Sequence, residues 1–134
     1  MTREFINPDA LPNWAQAFTQ VVVVAPGRTV HVAGQVAVDK DKNLVGAGDL
    51  GAQALRAFEN LATALAAGGA TTADVVKLNI YVKNYQPTDA EAVSAALRQF
   101  FPHERLPAST WLGVQSLAQE GFLIEVDAVA VIEQ

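Results

Sequence analysis

The segment Leu123-Ile124-Glu125-Val126-Asp127-Ala128-Val129-Ala130-Val131 alternates with a period of two, the pattern of a β-strand. Leu123, Val129 and Val131 fall on one side, and Ile124, Val126, Ala128 and Ala130 on the other, so both faces carry apolar groups. Asp74 to Val82 repeats the theme, with Val75 and Tyr81 opposing Val76, Leu78, Ile80 and Val82. A sheet built from such strands needs cover on both sides.

Working outward, two stretches read as helices. Asp49 can cap the first. Leu55, Phe58, Leu61, Ala62 and Leu65 form its apolar stripe, Arg56, Glu59 and Asn60 lie around the other side, and Gly68-Gly69 ends it. Thr88 and Glu91 make a capping box for the second, whose stripe is Val93, Ala96, Leu97, Phe100 and Phe101, with Pro102 as its stop. Further β segments flank these. Val21 to Ala25 and Thr29 to Val38 are separated by Pro26-Gly27 and read as a hairpin. Ala108 to Leu117 and Phe122 to Ile132 are joined by a Gln119-Glu120-Gly121 turn. Asp39 to Asn43 is a solvated loop tip.

The order is β-β-α-β-α-β-β in a single α+β domain spanning residues 1–134. Each helix has one stripe, so both cover one sheet face and leave the other bare. A bare apolar face is a site of association, and closed symmetric self-association satisfies it unless loops or the N-terminal segment lie across it.

Composition narrows the function classes. Of 134 residues, 51% are hydrophobic and 17% charged, which excludes a disordered chain. The net charge of −5 disfavours nucleic acid as a partner. Without cysteine there is no disulfide, thiolate nucleophile or Cys-based zinc site. Met1 to Asn13 is polar, is interrupted by Pro8 and Pro12, and lacks the apolar core of a signal peptide. No apolar run approaches the roughly 18 residues of a membrane span, so a cytoplasmic setting without membrane contact is expected.

Several segments resemble the Rid (RidA/YjgF) family of enamine and imine deaminases. His31-Val32-Ala33-Gly34-Gln35-Val36 is similar to the family's Ser-Gly-Gln strand. Gln53 with Glu59-Asn60-Leu61 resembles its Gln…Glu-Asn helix, and Asp74-Val75-Val76-Lys77 the opening of its next strand. Pro107-Ala108 and Ile124-Glu125-Val126-Asp127-Ala128 resemble the two closing strands. The match runs from about Trp14 to the C-terminus. It implies a chorismate-mutase-like/YjgF fold: a mixed sheet with two helices on one face, assembled as a homotrimer with the sheets facing inward. It also implies ligand clefts between subunits, and hydrolysis of reactive enamines and imines of 2-oxo acids without metal or organic cofactor.

The chain departs from that pattern at the site. Where the deaminases carry a carboxylate-gripping arginine after Pro-Ala, it has Ser109. A guanidinium offers a permanent charge and a planar fork; a hydroxyl makes only neutral hydrogen bonds. Trp111 stands where a cysteine is frequent, Trp14 where a tyrosine is, Ser94 for an asparagine and Ala33 for the serine of Ser-Gly-Gln. Glu125 keeps the position of the acid that orients or activates water. The resulting cleft is less basic and more aromatic, favouring a larger or less charged ligand than an aminoacrylate.

Each candidate carries two readings. Glu125 acts as general base, its pKa raised by burial beside Trp111, or is an interfacial acid sharing a face with Asp127. Ser109 binds a polar ligand group or makes room. Trp111 and Trp14 stack on a flat ligand or fill the interface. Arg105 reaches into the cleft to replace the lost charge or stays at the surface. Gly34 permits close backbone approach or marks a β-bulge. His31 packs or lies at an interface, His103 is exposed, and the two show no metal spacing. Two functions compete: a hydrolase in which Glu125 handles water, and a non-catalytic small-molecule-binding or regulatory trimer. Both require Ile124 to Ala128 to lie alongside the Pro107 strand, so that the carboxylate enters a crevice shared by adjoining protomers.

Overall fold

The computed structural model describes residues 2–10, 13, 15–16, 18–19, 21–101 and 103–133. The elements are β1 (Thr2–Ile6), β2 (Val21–Ala25), β3 (Arg28–Gln35), α1 (Leu50–Ala67), β4 (Val75–Lys83), α2 (Ala90–Phe100), β5 (Ala108–Val114) and β6 (Ile124–Ile132). The seven expected elements are present in order, preceded by a strand in the polar N-terminal segment that had no sequence signal.

That extra strand changes the pairing. β2 does not form a hairpin ladder with β3; it pairs antiparallel with β1, Phe5 facing Val22. Pro26-Gly27 turns the chain, but the ladder edge of β3 goes to β6. The main sheet runs β3-β6-β4-β5. β4 and β5 are parallel, joined through α2 as a βαβ crossover, and β6 is antiparallel to both its neighbours. Within one chain Ile124 to Ala128 therefore does not lie alongside the Pro107 strand, and the adjacency that both functional readings require is left to contact between chains. The crossover puts β5 on one edge of β4, and β6 occupies the other.

α1 begins where Asp49 accepts from the Ala52 N–H at 3.0 Å, and ends as Gly69 takes φ +84. Its buried stripe is Gln53, Ala54, Ala57, Phe58, Leu61 and Leu65, whereas Leu55 is 37% exposed. The 54/57/58/61/65 spacing rotates Leu55 off the core face. At α2 the Thr88–Glu91 box does not form. A 3-10 turn at Pro87–Asp89 precedes the helix, and the box joins Gln86 to Asp89, whose carboxylate accepts from the Gln86 N–H at 2.8 Å. Pro87 starts the helical turn one step earlier than the Thr88 reading required. Pro102, the expected stop, lies outside the described residues.

Both helices pack on one face of the sheet, where Leu78, Ile80, Val82, Ile124, Val126 and Ala128 meet Phe58, Leu61, Val93 and Ala96 in one core. The ring of Phe58 lies 6.0 Å from those of Phe100 and Phe101. A bulge between Val75 and Lys77 changes the alternation, so Val75, not Val76, is buried with Leu78. Lys77, Asn79, Tyr81, Glu125, Asp127, Val129 and Val131 belong to the opposite face, joined across β5 by Thr110 and Leu112. Among the described residues no helix covers it. It is mixed rather than apolar, because four of these strand positions carry charged or amide groups; its clearest apolar exposure is Leu112, at 47%. No helix of the described residues is long and apolar enough to cross a membrane.

Candidate functional site

Glu125 sits on the uncovered face, and two devices fix it there. Gln53, fully buried on α1, donates to the carbonyls of Gly46 (3.2 Å) and Gly121 (2.9 Å) and accepts from the Leu123 N–H (2.9 Å). These bonds clamp the chain just before β6 and set which face Glu125 takes. Across the sheet, the bulge between Val32 and Gln35 brings the Gly34 backbone under the carboxylate. A Cβ at Gly34 would stand 2.0 Å from Glu125 Oε2. Both readings of Gly34 thus hold at once: the bulge is what creates the close approach.

Polar neighbours surround the acid. Tyr81 lies directly across from Glu125, and Asn79 across from Asp127, whose carboxylate accepts from Asn79 Nδ2 at 2.8 Å. The Tyr81 phenol is held above its ordinary range, first by partial burial, then by the charge of Asp127 and the hydrogen bond to it, and then by the charge of Glu125. On the β5 side Lys77 Nζ donates to Thr110 Oγ1 at 2.9 Å.

Ser109 and Trp111 lie elsewhere. Parallel pairing sets them level with Leu78 and Ile80, hence on the helix-covered face. With Ser94 and Leu97 of α2, Ile80 and Phe18 they line a cavity of about 180 Å³ at the β5 edge. Phe18 is brought there by its neighbour Thr19, whose hydroxyl donates to the Leu106 carbonyl and whose N–H donates to the Pro107 carbonyl at 3.2 Å. Trp111 packs edge-on against Tyr85, centroids 6.0 Å apart, and its indole N–H is buried with no acceptor among the described residues. A larger, open groove of about 440 Å³ runs along α1 past Arg56, Glu59 and Asn60, but holds none of the site candidates.

The chain therefore gathers the candidates into two groups: Ser94, Ser109 and Trp111 at the cavity, and Glu125 with Gly34 on the opposite face. Glu125 is not beside Trp111, because the two belong to opposite faces with β4 between their strands. Arg105 lies in neither group; its guanidinium rests 4.6 Å from the centre of the Phe5 ring. Trp14 lies outside the described residues. His31 is exposed on β3, opposite Val129. Among the described residues no three His, Cys, Asp or Glu side chains converge as a metal site requires. Sequence reasoning passed over Phe18, Asn79 and the bond of Tyr81 to Asp127. Alternation did place Tyr81 and Asn79 on one face, but their partners depend on strand register, which no local pattern reveals.

Comparison with known proteins bears on the family and the fold. The family model described as Endoribonuclease L-PSP matches residues 9–132. A 2-iminobutanoate/2-iminopropanoate deaminase of Dermatophagoides farinae is 30% identical over 131 residues, covering 98% of each chain. The crystal structure of YyfB of Yersinia pestis, a Rid-family protein of unknown function, is 40% identical with a TM-score of 0.91, covering 98% of this chain and 100% of that one. The YjgF gene product of E. coli is 30% identical with a TM-score of 0.67, over 81% and 84% of the two chains. The chain belongs to the Rid (YjgF) family, to which the Endoribonuclease L-PSP model corresponds.

Proposed function

We propose that the protein hydrolyses an enamine, imine or related C–N bond of a small metabolite, at clefts between the subunits of a homotrimer, and is not an arginine-anchored 2-aminoacrylate deaminase. The observation that carries this reading is the separation of the two groups. Within one chain the Ser109 cavity and Glu125 face opposite ways, so a site containing both needs a neighbour. The cavity opens at the β5 edge, and a second protomer laid along that edge can offer its own Glu125 and Gly34.

In such a cleft Glu125 takes a proton from water as the oxygen attacks the C=N carbon. The nitrogen is protonated, and the carbinolamine collapses with release of ammonia or an amine and formation of a carbonyl. Ser109, Ser94 and Trp111 hold the substrate. Ser109 cannot supply the charge-assisted contact that grips a carboxylate, which is worth about 1.5–3 kcal/mol against about 1 for a neutral hydrogen bond. The partner of the protein is thus a small molecule; a chain of net charge −5 is poorly suited to nucleic acid.

Generated 2-aminoacrylate is expected to decay at its uncatalysed rate in the presence of the protein; acceleration matching an arginine-bearing homologue overturns this part. A panel of imines, enamines, amides and lactams then separates catalysis from binding. If Glu125→Gln abolishes an identified turnover while the assembly persists, the hydrolase reading stands. Ser109 in place of a cation is the observation on the side of a non-catalytic binding trimer, and absence of turnover across the panel decides for it.

A further inference from the structure

The cavity at the β5 edge also defines what it admits. Its described lining is Phe18, Ile80, Leu97 and Trp111 as apolar walls, with Ser94 and Ser109 as the hydroxyl-bearing residues. None of these side chains is charged. Among the described residues the nearby cations are engaged elsewhere: Lys77 with Thr110 on the other face, Arg98 with Glu91 at 2.9 Å, and Arg105 over the Phe5 ring. An anion moved into such a place loses its hydration and gains no counter-charge, whereas an uncharged group loses far less. The serine hydroxyls add a second preference: they are neutral donors, and a carbonyl oxygen is the kind of group that accepts from them. Size adds a third: about 180 Å³ is well below the roughly 300–1,000 Å³ of drug-sized pockets, which suits a single ring or a branched chain of similar bulk.

We infer that this cavity is a recognition site for an uncharged, carbonyl-bearing small molecule with a compact flat or apolar body, and that it rejects carboxylates. This deepens the hydrolase reading by naming a substrate class for the same site, an uncharged imine or amide carrying an aryl or branched alkyl group, but the ligand class stands without turnover. Apolar walls hold the body, and the neutral donors orient the polar end.

The test uses the full-length protein and two isosteric probes, benzamide and benzoate, followed through the indole N–H resonances by two-dimensional NMR. Trp111→Phe assigns the signal, since the chain has two tryptophans. Benzamide is expected to shift the Trp111 resonance saturably, with benzoate and pyruvate binding at least about tenfold more weakly. Ser109→Arg is expected to reverse the order. Benzoate binding as tightly as benzamide overturns the inference, as does benzamide binding with the Trp111 signal unmoved, or no binding of either probe. Because binding is read without catalysis, a protein that takes benzamide yet hydrolyses nothing loses only the hydrolase reading. One that turns over an imine yet prefers benzoate loses only this inference.

Discussion

Tyr81 shows how a single side chain ties the uncovered face together. Its phenol bonds Asp127 and faces Glu125, and its protonated form is favoured first by burial and then because ionisation would place a third negative charge there. A folded-state value raised above the unfolded one adds stability that is complete below about pH 10 and is lost as pH rises through the folded value. Asp127→Asn is therefore expected to bring the Tyr81 titration down toward 10, measured by tyrosinate absorbance with Tyr81→Phe as the reference; an unchanged titration refutes the coupling. Gly34 makes the complementary point. In Gly34→Ala the new methyl meets the far end of a flexible side chain, so thermal unfolding should move by no more than about 1 kcal/mol. The carboxylate must leave its place, and any turnover that depends on Glu125 should fall at least about tenfold, equivalent to about 1.4 kcal/mol. Equal loss of stability and activity would make Gly34 a folding residue alone.

At the scale of elements, α1 does more than cover the sheet. Gln53 presents a buried amide among Ala54, Ala57 and Phe58, and its three hydrogen bonds tie the loop before α1 to the start of β6. Asn60 extends the clamp, donating from Nδ2 to the carbonyls of Val36 and Val38 at 2.8 and 2.9 Å. Gln53→Leu keeps the bulk but strands a buried N–H and two carbonyls. Destabilisation of about 2–4 kcal/mol in urea denaturation is expected, and a change below about 0.5 kcal/mol would contradict the clamp. The helices themselves were legible because stripe, cap and glycine stop all act within a few residues. The Thr88 box and the β2–β3 hairpin misled for different reasons: the neighbouring Pro87 starts the turn one residue earlier, whereas β2 and β3 each found a competing strand, β1 and β6, elsewhere in the chain.

For the whole molecule, assembly is the property on which the proposed site depends. Sedimentation is expected to give the mass of three chains; a stable monomer at micromolar concentration would remove the cleft. Mixing sharpens this once a substrate is known. Glu125→Gln and Trp111→Ala chains, each inactive alone, should regain about a quarter of wild-type turnover when refolded together in equal amounts, because a site shared by two subunits then pairs a sound pocket with a sound acid in about one case in four. No recovery would place both groups in one protomer or deny their cooperation.

Periodicity and composition by themselves determined the α+β class, the order of the seven main elements, the two helical stripes and the facing of Glu125 with Asp127, since all of these follow from spacing along the chain. They also exposed Ser109 in place of a cation, because identity at a position needs no coordinates. Only the tertiary structure decided that β6 pairs with β3 and β4 rather than with β5, that Tyr81 meets Asp127, and that Ser109 and Trp111 turn away from Glu125. Strand order and register arise from contacts between residues tens of positions apart, and a one-residue slip or one intervening strand reverses which side chains meet without changing any local pattern.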